Sequence, residues 1–146
     1  MGRGLPRGPD RDLSGASVNV YHITTREAWI AATRQGVYQA PSLASAGFIH
    51  CSTSAQVLPV ARQFYAGQSG LVLLAIDPSR LASVLKWEPA ADGPVPAGIP
   101  GTQRFPHVYG PINLEAVVRV LDFEPDTNGD FTAPGLLAHE TGVGPE

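Results

Sequence analysis

The stretch "GLVLLAID" (70–77) decides the fold of this chain because its centre is an unbroken run of apolar residues. A strand with one face in water alternates apolar and polar side chains, whereas a continuous apolar run is typical of a strand buried on both faces. We therefore expect a central strand here, with further elements covering both of its faces.

A strand and a helix are predicted at the start of the folded region, before the central strand. The segment "VNVYHI" (18–23) is rich in β-branched and aromatic residues and predicts a first strand. It is followed by "TTREAWIAATRQG" (24–36), where Thr24 and Glu27 form a capping-box pattern and Gly36 is a natural terminator. This pattern predicts a helix between the two signals.

The residues between this helix and the central run predict a loop, a short strand and a second helix. Residues 37–46 are read as a loop, and "GFIHC" (47–51) as a strand. Residues 52–67 predict a helix that is kinked at Pro59 or begins later than the apolar pattern suggests, because an interior proline is costly. Its candidate capping residues are Ser52, Thr53 and Ser54.

The C-terminal half contains strands and loops without a strong helical pattern. Residues 84–89 predict a strand ended by a proline, and residues 90–104 a long loop rich in proline and glycine. "FPHVYGPI" (105–112) is interpreted as a rigid connector, and "EAVVRVLDFEPD" (115–126) as the last strand. Because helices come early and strands late, we expect an α+β fold with a small mixed or antiparallel sheet and two early helices.

Length and composition indicate one domain with modest charge. The chain has 146 residues and a net charge of −3, with only ten lysines and arginines, which argues against a surface for duplex nucleic acid. The folded domain is predicted at 17–132, between disordered segments at 1–16 and 133–146. No run suits a membrane span or a secretory signal, and the lone Cys51 is compatible with a reducing compartment, so we expect a cytoplasmic location.

Common catalytic and binding fingerprints are missing from the sequence. No glycine-rich nucleotide motif and no G-x-S-x-G pattern is present. The four histidines (22, 50, 107 and 139) have no local metal-ligand spacing, so no metal is predicted, and His139 in the tail is treated as irrelevant. The question is whether the other three histidines converge on one site.

Strand alternation separates the reactive groups of "AGFIHCST" (46–53). Successive side chains of a strand point to opposite faces, so His50 shares a face with Phe48 while Cys51 lies on the other. A Cys–His nucleophile pair is therefore disfavoured, and Cys51 is predicted to be core. Ser52 is expected at a helix start, where free N–H groups also attract anions.

The segment "FPHVYGP" (105–111) is the strongest functional hint from chemistry alone. Its prolines restrict the backbone around His107 and Tyr109, and a purely structural corner needs neither side chain. Glu88, at the end of the preceding strand, is a candidate carboxylate partner, although an exposed acidic strand end is the simpler interpretation. His22 ends the first strand, where a half-buried imidazole bonded to the backbone is the structural alternative.

Taken together, "YHIT", "GFIHCST", "LVLLAID" and "FPHVYGPI" occur in an order that resembles the bacterial Domain of Unknown Function 952 family, over about residues 20–131. The resemblance implies a remote similarity to the ADP-ribosyltransferase-like fold group, which contains NAD-cleaving enzymes and RNA 2′-phosphotransferases. It would place His22 and Thr24 on the ribose and carboxamide of NAD. Ile23 departs from the glycine usual there, and Glu88 or Glu115 would be the acidic residue of the third motif.

The resemblance implies a transferase or hydrolase acting on NAD or a related nucleotide through a histidine-lined pocket. Two alternatives stay open: a non-catalytic pocket for a nucleotide or another small anion, and a protein-interaction module that uses the proline- and glycine-rich loop. NAD is a candidate substrate, with no other cofactor. The predicted catalytic residues are His22, His50, His107 and Glu88, and the predicted substrate-binding residues are Thr24, Ser42, Ser52, Thr53 and Tyr109.

Overall fold

A computed structural model describes residues 18–90 and 95–132 of the chain, so the segments predicted to be disordered, 1–16 and 133–146, lie outside the described residues. The described strands are β1 (Val20–Thr25), β2 (Val37–Tyr38), β3 (Ile49–His50), β4 (Leu71–Ile76), β5 (Val84–Glu88), β6 (Phe105–Tyr109), β7 (Ile112–Asn113) and β8 (Val117–Asp122). The described helices are α1 (Arg26–Gln35), α2 (Pro41–Ala46) and α3 (Val57–Phe64), with 3-10 turns at Pro78–Arg80 and Leu114–Ala116. The α+β prediction is confirmed.

Strand β4 is the centre of the first sheet, as its apolar run predicts. It lies between β1 and β8, antiparallel to both, and all of its side chains are buried. Alternate side chains of β4 enter two separate cores. Leu74 and the strand residues that share its face pack with residues of α1, whereas Leu73 and the residues that share its face pack with residues of α3. A strand covered on both faces has no solvent side to carry polar residues, which explains the continuous run.

A second sheet has the order β3-β6-β5 and is antiparallel throughout, while β2 and β7 form a separate pair. The two larger sheets are connected by one isolated bridge between Tyr21 of β1 and Ser52, just after β3. Each residue donates its N–H to the other's carbonyl at 2.7 Å. Beyond this bridge the backbones of β1 and β3 separate, because the next carbonyl of β3, that of His50, bonds to a side chain of β1 instead.

The prediction that residues 105–112 form a connector is wrong, because β6 is the middle strand of the second sheet. Pro106 has no N–H to offer, which is why the segment did not look like a central strand. Its carbonyl nevertheless accepts from the N–H of Cys51 at 3.0 Å, and the residues on either side complete the ladder with β3 and β5.

The predicted loop at 37–46 is also wrong, since it contains β2 and α2. Pro41 occupies the first turn of α2, where its missing N–H costs nothing, and Gly47 ends the helix with φ +90°. Both elements are too short to leave a periodic pattern in the sequence.

The helix starts differ from their predicted positions by a few residues. The hydroxyl of Thr25, not that of Thr24, caps α1 by accepting from the N–H of Ala28 at 3.0 Å. Helix α3 begins at Val57, so Pro59 lies in its first turn and the later start, not a kink, accommodates it. Thr53 accepts from the N–H of Gln56 one turn before this helix, whereas Ser52 belongs to the bridge with β1.

Candidate functional site

A cavity of about 280 Å³ opens where β1 and β3 separate. Helix α3 and the end of β6 supply two further walls, and the segment after β5 supplies another. The lining residues are Tyr21, His22, Ile23, His50, Cys51, Ser52, Val60, Phe64, Tyr65, Ala90, Pro96, Phe105 and His107. The three histidines singled out in the sequence therefore converge on one cavity, although they lie on three different strands.

Several of the remaining predicted site residues are not among those that line this cavity. Glu88 and Tyr109 are not among the lining residues but are hydrogen-bonded to each other beside His107. Ser42 donates its hydroxyl to the carbonyl of Phe48 at 2.8 Å, and Thr53 bonds to Gln56. Neither Ser42 nor Thr53 lines the cavity. Their contacts hold the turns on either side of β3.

His22 is held on both sides by the protein. Its Nδ1 is 2.6 Å from the carbonyl of His50, which can only accept, so Nδ1 carries a proton. Its Nε2 is 2.8 Å from the hydroxyl of Tyr38. Burial lowers the pKa of His22 from 6.5 to about 4, so the ring is neutral at pH 7 and Nε2 accepts from Tyr38.

Tyr38 completes this network and was not identified from the sequence. Its hydroxyl is 2.9 Å from the hydroxyl of Thr24, and burial raises the pKa of Tyr38 to about 12. Because the single proton of Tyr38 goes to His22, Thr24 donates to the tyrosine oxygen. Thr24 thus reaches His22 through Tyr38, and it is not among the residues that line the cavity. A tyrosine after the terminating Gly36 was the available signal, but it was read as part of a loop.

One ring nitrogen of His107 is fixed by a hydrogen bond, and the other has no partner among the residues that the structure describes. The residue is 2% exposed, and its Nδ1 donates to Oε1 of Glu88 at 2.8 Å. The same carboxylate oxygen accepts the hydroxyl of Tyr109 at 2.8 Å. These two bonds lower the pKa of Glu88, and the carboxylate raises the pKa of Tyr109. No partner for Nε2 of His107 occurs among residues 18–90 and 95–132.

Phe48 holds the His107 ring from the side. The two rings are stacked, with centroids 4.2 Å apart and planes 20° apart. Phe48 also contacts His50 edge to face, with the two ring centroids 4.7 Å apart. His50 and Phe48 therefore share a face of β3, as strand alternation predicts. His50 and His107 are directly paired across β3 and β6, with ring centroids 5.5 Å apart.

Cys51 lies on the opposite face, as predicted, and packs in the core with Ile49. Burial raises the pKa of its thiol to about 12. The thiolate is the nucleophilic form, so Cys51 is unreactive near neutral pH although part of it borders the cavity. A cysteine-based mechanism is not supported by this environment.

Two hydroxyl groups at the cavity have no hydrogen-bond partner in the described part of the chain. Ser52 is 5% exposed, and its backbone, not its side chain, forms the bridge with Tyr21. Tyr65, at the end of α3, borders the same space, and burial raises the pKa of its hydroxyl. Together with Nε2 of His107, these are the polar groups that the protein leaves available to a ligand.

No lysine, arginine, aspartate or glutamate occurs among the described residues that line the cavity. Across residues 18–90 and 95–132, no group of three or more His, Cys, Asp or Glu side chains is arranged to hold a metal ion. The same described residues include no helix long and apolar enough to cross a membrane.

Solved structures of a Caulobacter crescentus protein named CC0527 are similar to this chain. Its crystal structure is 34% identical in sequence to this chain, with a TM-score of 0.70, and the similarity covers 82% of this chain and 98% of CC0527. A crystal structure of a double mutant gives 33% identity and the same TM-score. The solution NMR structure gives 34% identity and a TM-score of 0.64, covering 84% of this chain and 96% of the other.

A comparison with curated proteins gives no significant match. A family model described as "Protein of unknown function (DUF952)" matches residues 23–120, which include the second half of β1, all of β6 and most of the residues that line the cavity. The match extends over more than half of the chain, and it agrees with the order of motifs in the sequence. The chain therefore belongs to the Domain of Unknown Function 952 family.

Proposed function

We propose that this chain binds a nucleotide-like small molecule in the cavity and hydrolyses it or transfers a group from it, with His107 as the proton carrier. The observation behind the proposal is the buried imidazole of His107, whose Nδ1 is bonded to Glu88 while Nε2 has no partner among the described residues. A buried polar atom without a partner is costly in a folded protein, and a ligand that bonds to it removes that cost.

The arrangement suits general acid–base catalysis. A carboxylate that accepts from one nitrogen of an imidazole fixes its tautomer and stabilises its protonated form, so the other nitrogen can take and return a proton. In this proposal Glu88 orients His107, Tyr109 holds Glu88, and Phe48 restricts the ring. His50 and Ser52 border the ligand, and His22 contributes the shape of the wall because both of its nitrogens are engaged.

The size of the cavity limits the ligand. Small-molecule sites span roughly 300–1,000 Å³, so a cavity of about 280 Å³ is just below the lower end of that range. It suits a nucleoside or one part of NAD better than a whole dinucleotide. Cleavage of the nicotinamide bond of NAD further needs a carboxylate facing the sugar, and Glu88 is bonded behind His107. Proton transfer by His107 is therefore preferred to the ADP-ribosyltransferase-like mechanism.

A non-catalytic binding domain is the second candidate. The observation that favours it is that no Asp or Glu occurs among the described residues that line the cavity. Such a pocket would recognise its ligand through the same polar atoms without turnover. The interaction-module alternative predicted an apolar surface in place of a pocket, and the cavity gives it no support.

A ligand screen with a product assay tests the proposal. Thermal unfolding of the whole chain is measured with NAD, ADP-ribose, nucleosides, nucleotides and 2′-phosphorylated RNA ends, since a ligand at a hundredfold excess over Kd stabilises by about 2.7 kcal/mol. We expect stabilisation by at least one compound, a conversion detected by chromatography, and loss of conversion in His107→Gln. Binding without conversion would select the second candidate, and stabilisation by none of the compounds would contradict both.

A further inference from the structure

We propose that the cavity takes an uncharged planar ring with an amide-like edge, and that any phosphate of the ligand stays outside it. The inference rests on the proposed function, since it names the part of the ligand that the same cavity binds. It follows from three independent features of the lining: charge, apolar surface, and the polar atoms left without partners.

The charge of the lining disfavours an anion. Among residues 18–90 and 95–132, none of those that line the cavity is a lysine or an arginine. His22 is neutral at pH 7, with both ring nitrogens engaged by His50 and Tyr38. When His107 is protonated, the carboxylate of Glu88 lies 2.8 Å from its Nδ1 and balances its charge. A phosphate in this cavity would lose its water without gaining an unpaired cation, which is unfavourable.

The apolar surface of the lining suits a flat ring. Aromatic side chains come from three elements: Tyr21 from β1, Phe64 and Tyr65 from the end of α3, and Phe105 from β6. Val60 and Pro96 complete the apolar part of the wall. Aromatic side chains bind planar rings through stacking and edge-to-face contacts, and these contacts need no charge.

The polar atoms without partners match an amide. With Nδ1 of His107 donating to Glu88, the neutral ring presents Nε2 as an acceptor. The hydroxyl of Ser52 can donate, and Ser52 and His107 border the same cavity from neighbouring strands. An amide or imide edge offers an N–H for Nε2 and a carbonyl for the hydroxyl. A carboxylate would instead place a negative oxygen against the lone pair of Nε2.

Matched pairs of small molecules test this inference on the whole chain at pH 7.5. Affinities are measured by calorimetry for benzamide and benzoate, which differ in the amide, and for uridine and uridine 5′-monophosphate, which differ in the phosphate. We expect benzamide to bind at least tenfold more tightly than benzoate, and the phosphate of the nucleotide to change affinity less than threefold. Raising the salt concentration from 50 to 300 mM should leave the affinity of benzamide within twofold, because no ion pair forms.

Two variants and a matched control locate the contact. Ser52→Ala and His107→Gln should each lower the affinity for benzamide at least fivefold. Ser54→Ala, at a position outside the lining, should leave this affinity unchanged. Ser52→Ala keeps the test decisive if His107→Gln fails to fold.

The outcomes distinguish this inference from the proposed function. The inference would be overturned if benzoate bound as tightly as benzamide. It would also be overturned if the phosphate of uridine 5′-monophosphate increased its affinity and salt decreased it. Either result would leave the proposal of a nucleotide-like ligand standing. An unchanged benzamide affinity in Ser52→Ala would also overturn it. Absence of binding by all four probes and by the compounds of the wider screen would overturn both.

Discussion

His22 borders the cavity, but both of its ring nitrogens are engaged by the protein. Its position at the end of a strand suggested a ligand contact, and it does border the cavity. Yet Nδ1 bonds to the carbonyl of His50, where β1 and β3 separate, and Nε2 bonds to Tyr38. The neutral ring therefore satisfies a carbonyl that the strand pairing leaves free.

The depressed pKa of His22 predicts an acid-sensitive fold. The unfolded chain binds a proton at His22 near pH 6.5 and the folded chain only near pH 4, so the free energy of unfolding falls as pH falls through this window. A shift from 6.5 to about 4 corresponds to a loss on the order of 3 kcal/mol between pH 7 and pH 4. Urea unfolding of the wild type and of His22→Gln between pH 4 and pH 7 measures this loss of stability.

The variant supplies the control for that measurement. His22→Gln keeps a side chain that can donate to the carbonyl of His50 but cannot titrate. Its stability should therefore depend less on pH between 4 and 6.5 than that of the wild type. Equal slopes for the two proteins would show that His22 does not titrate as its burial requires.

At the scale of elements, buried Gln56 connects α3 to the segment that leads into β6. Its Oε1 accepts from the N–H of Thr53 at 2.9 Å. Its amide donates to the side chain of Gln103 and to the carbonyl of Arg104, both at 2.8 Å. The side chain is fully buried, and the residues that it connects are separated by almost fifty positions in the chain. This residue fixes two walls of the cavity relative to each other.

Gln56→Ala should destabilise the protein by about 1–3 kcal/mol, because it removes a fully buried amide and its part-buried hydrogen bonds to the backbone of Thr53 and Arg104. Chemical denaturation followed by circular dichroism measures the change. Gln63→Ala, on the exposed side of α3, is the matched control and should change stability by less than about 0.5 kcal/mol. Similar effects of the two substitutions would show that the buried contacts of Gln56 contribute nothing specific.

At the scale of the whole molecule, β4 separates two hydrophobic cores. One contains Leu74 and packs against Trp29 of α1, and the other contains Leu73 and packs against residues of α3. Adjacent residues of one strand thus belong to different cores. Because the two cores pack on opposite faces of β4, a loss of packing in either core weakens the strand on which the other core depends.

Leu73→Ala and Leu74→Ala should therefore each destabilise the whole domain, by about 2–5 kcal/mol. Denaturant unfolding followed by tryptophan fluorescence and by circular dichroism should give coincident transitions for both variants, as expected for one cooperative unit. Val120→Ala, at a half-exposed position on the edge strand β8, is the control and should cost less. Separate transitions for the two probes in either leucine variant would indicate cores that unfold independently.

Much of the fold and part of the site are local properties of the sequence. The apolar run of β4, the glycine that ends α1 and the alternation of Phe48, Ile49 and His50 each depend on neighbouring residues. Local patterns of this kind are readable without a structure. The strand β6 and helix α2 were missed because a proline hides the pattern in one and shortness hides it in the other.

The sequence alone determined the α+β class, the central strand, the burial of Cys51 and the identity of three histidines worth examining. Only the tertiary structure decided what each histidine does. His22 is neutral because it is buried, its two ring nitrogens are engaged by Tyr38 and the carbonyl of His50, and His107 is oriented because β5 places Glu88 beside it. The physical reason is that hydrogen bonds and desolvation act over a few ångströms in space, and these partners lie 16 to 28 positions away along the chain.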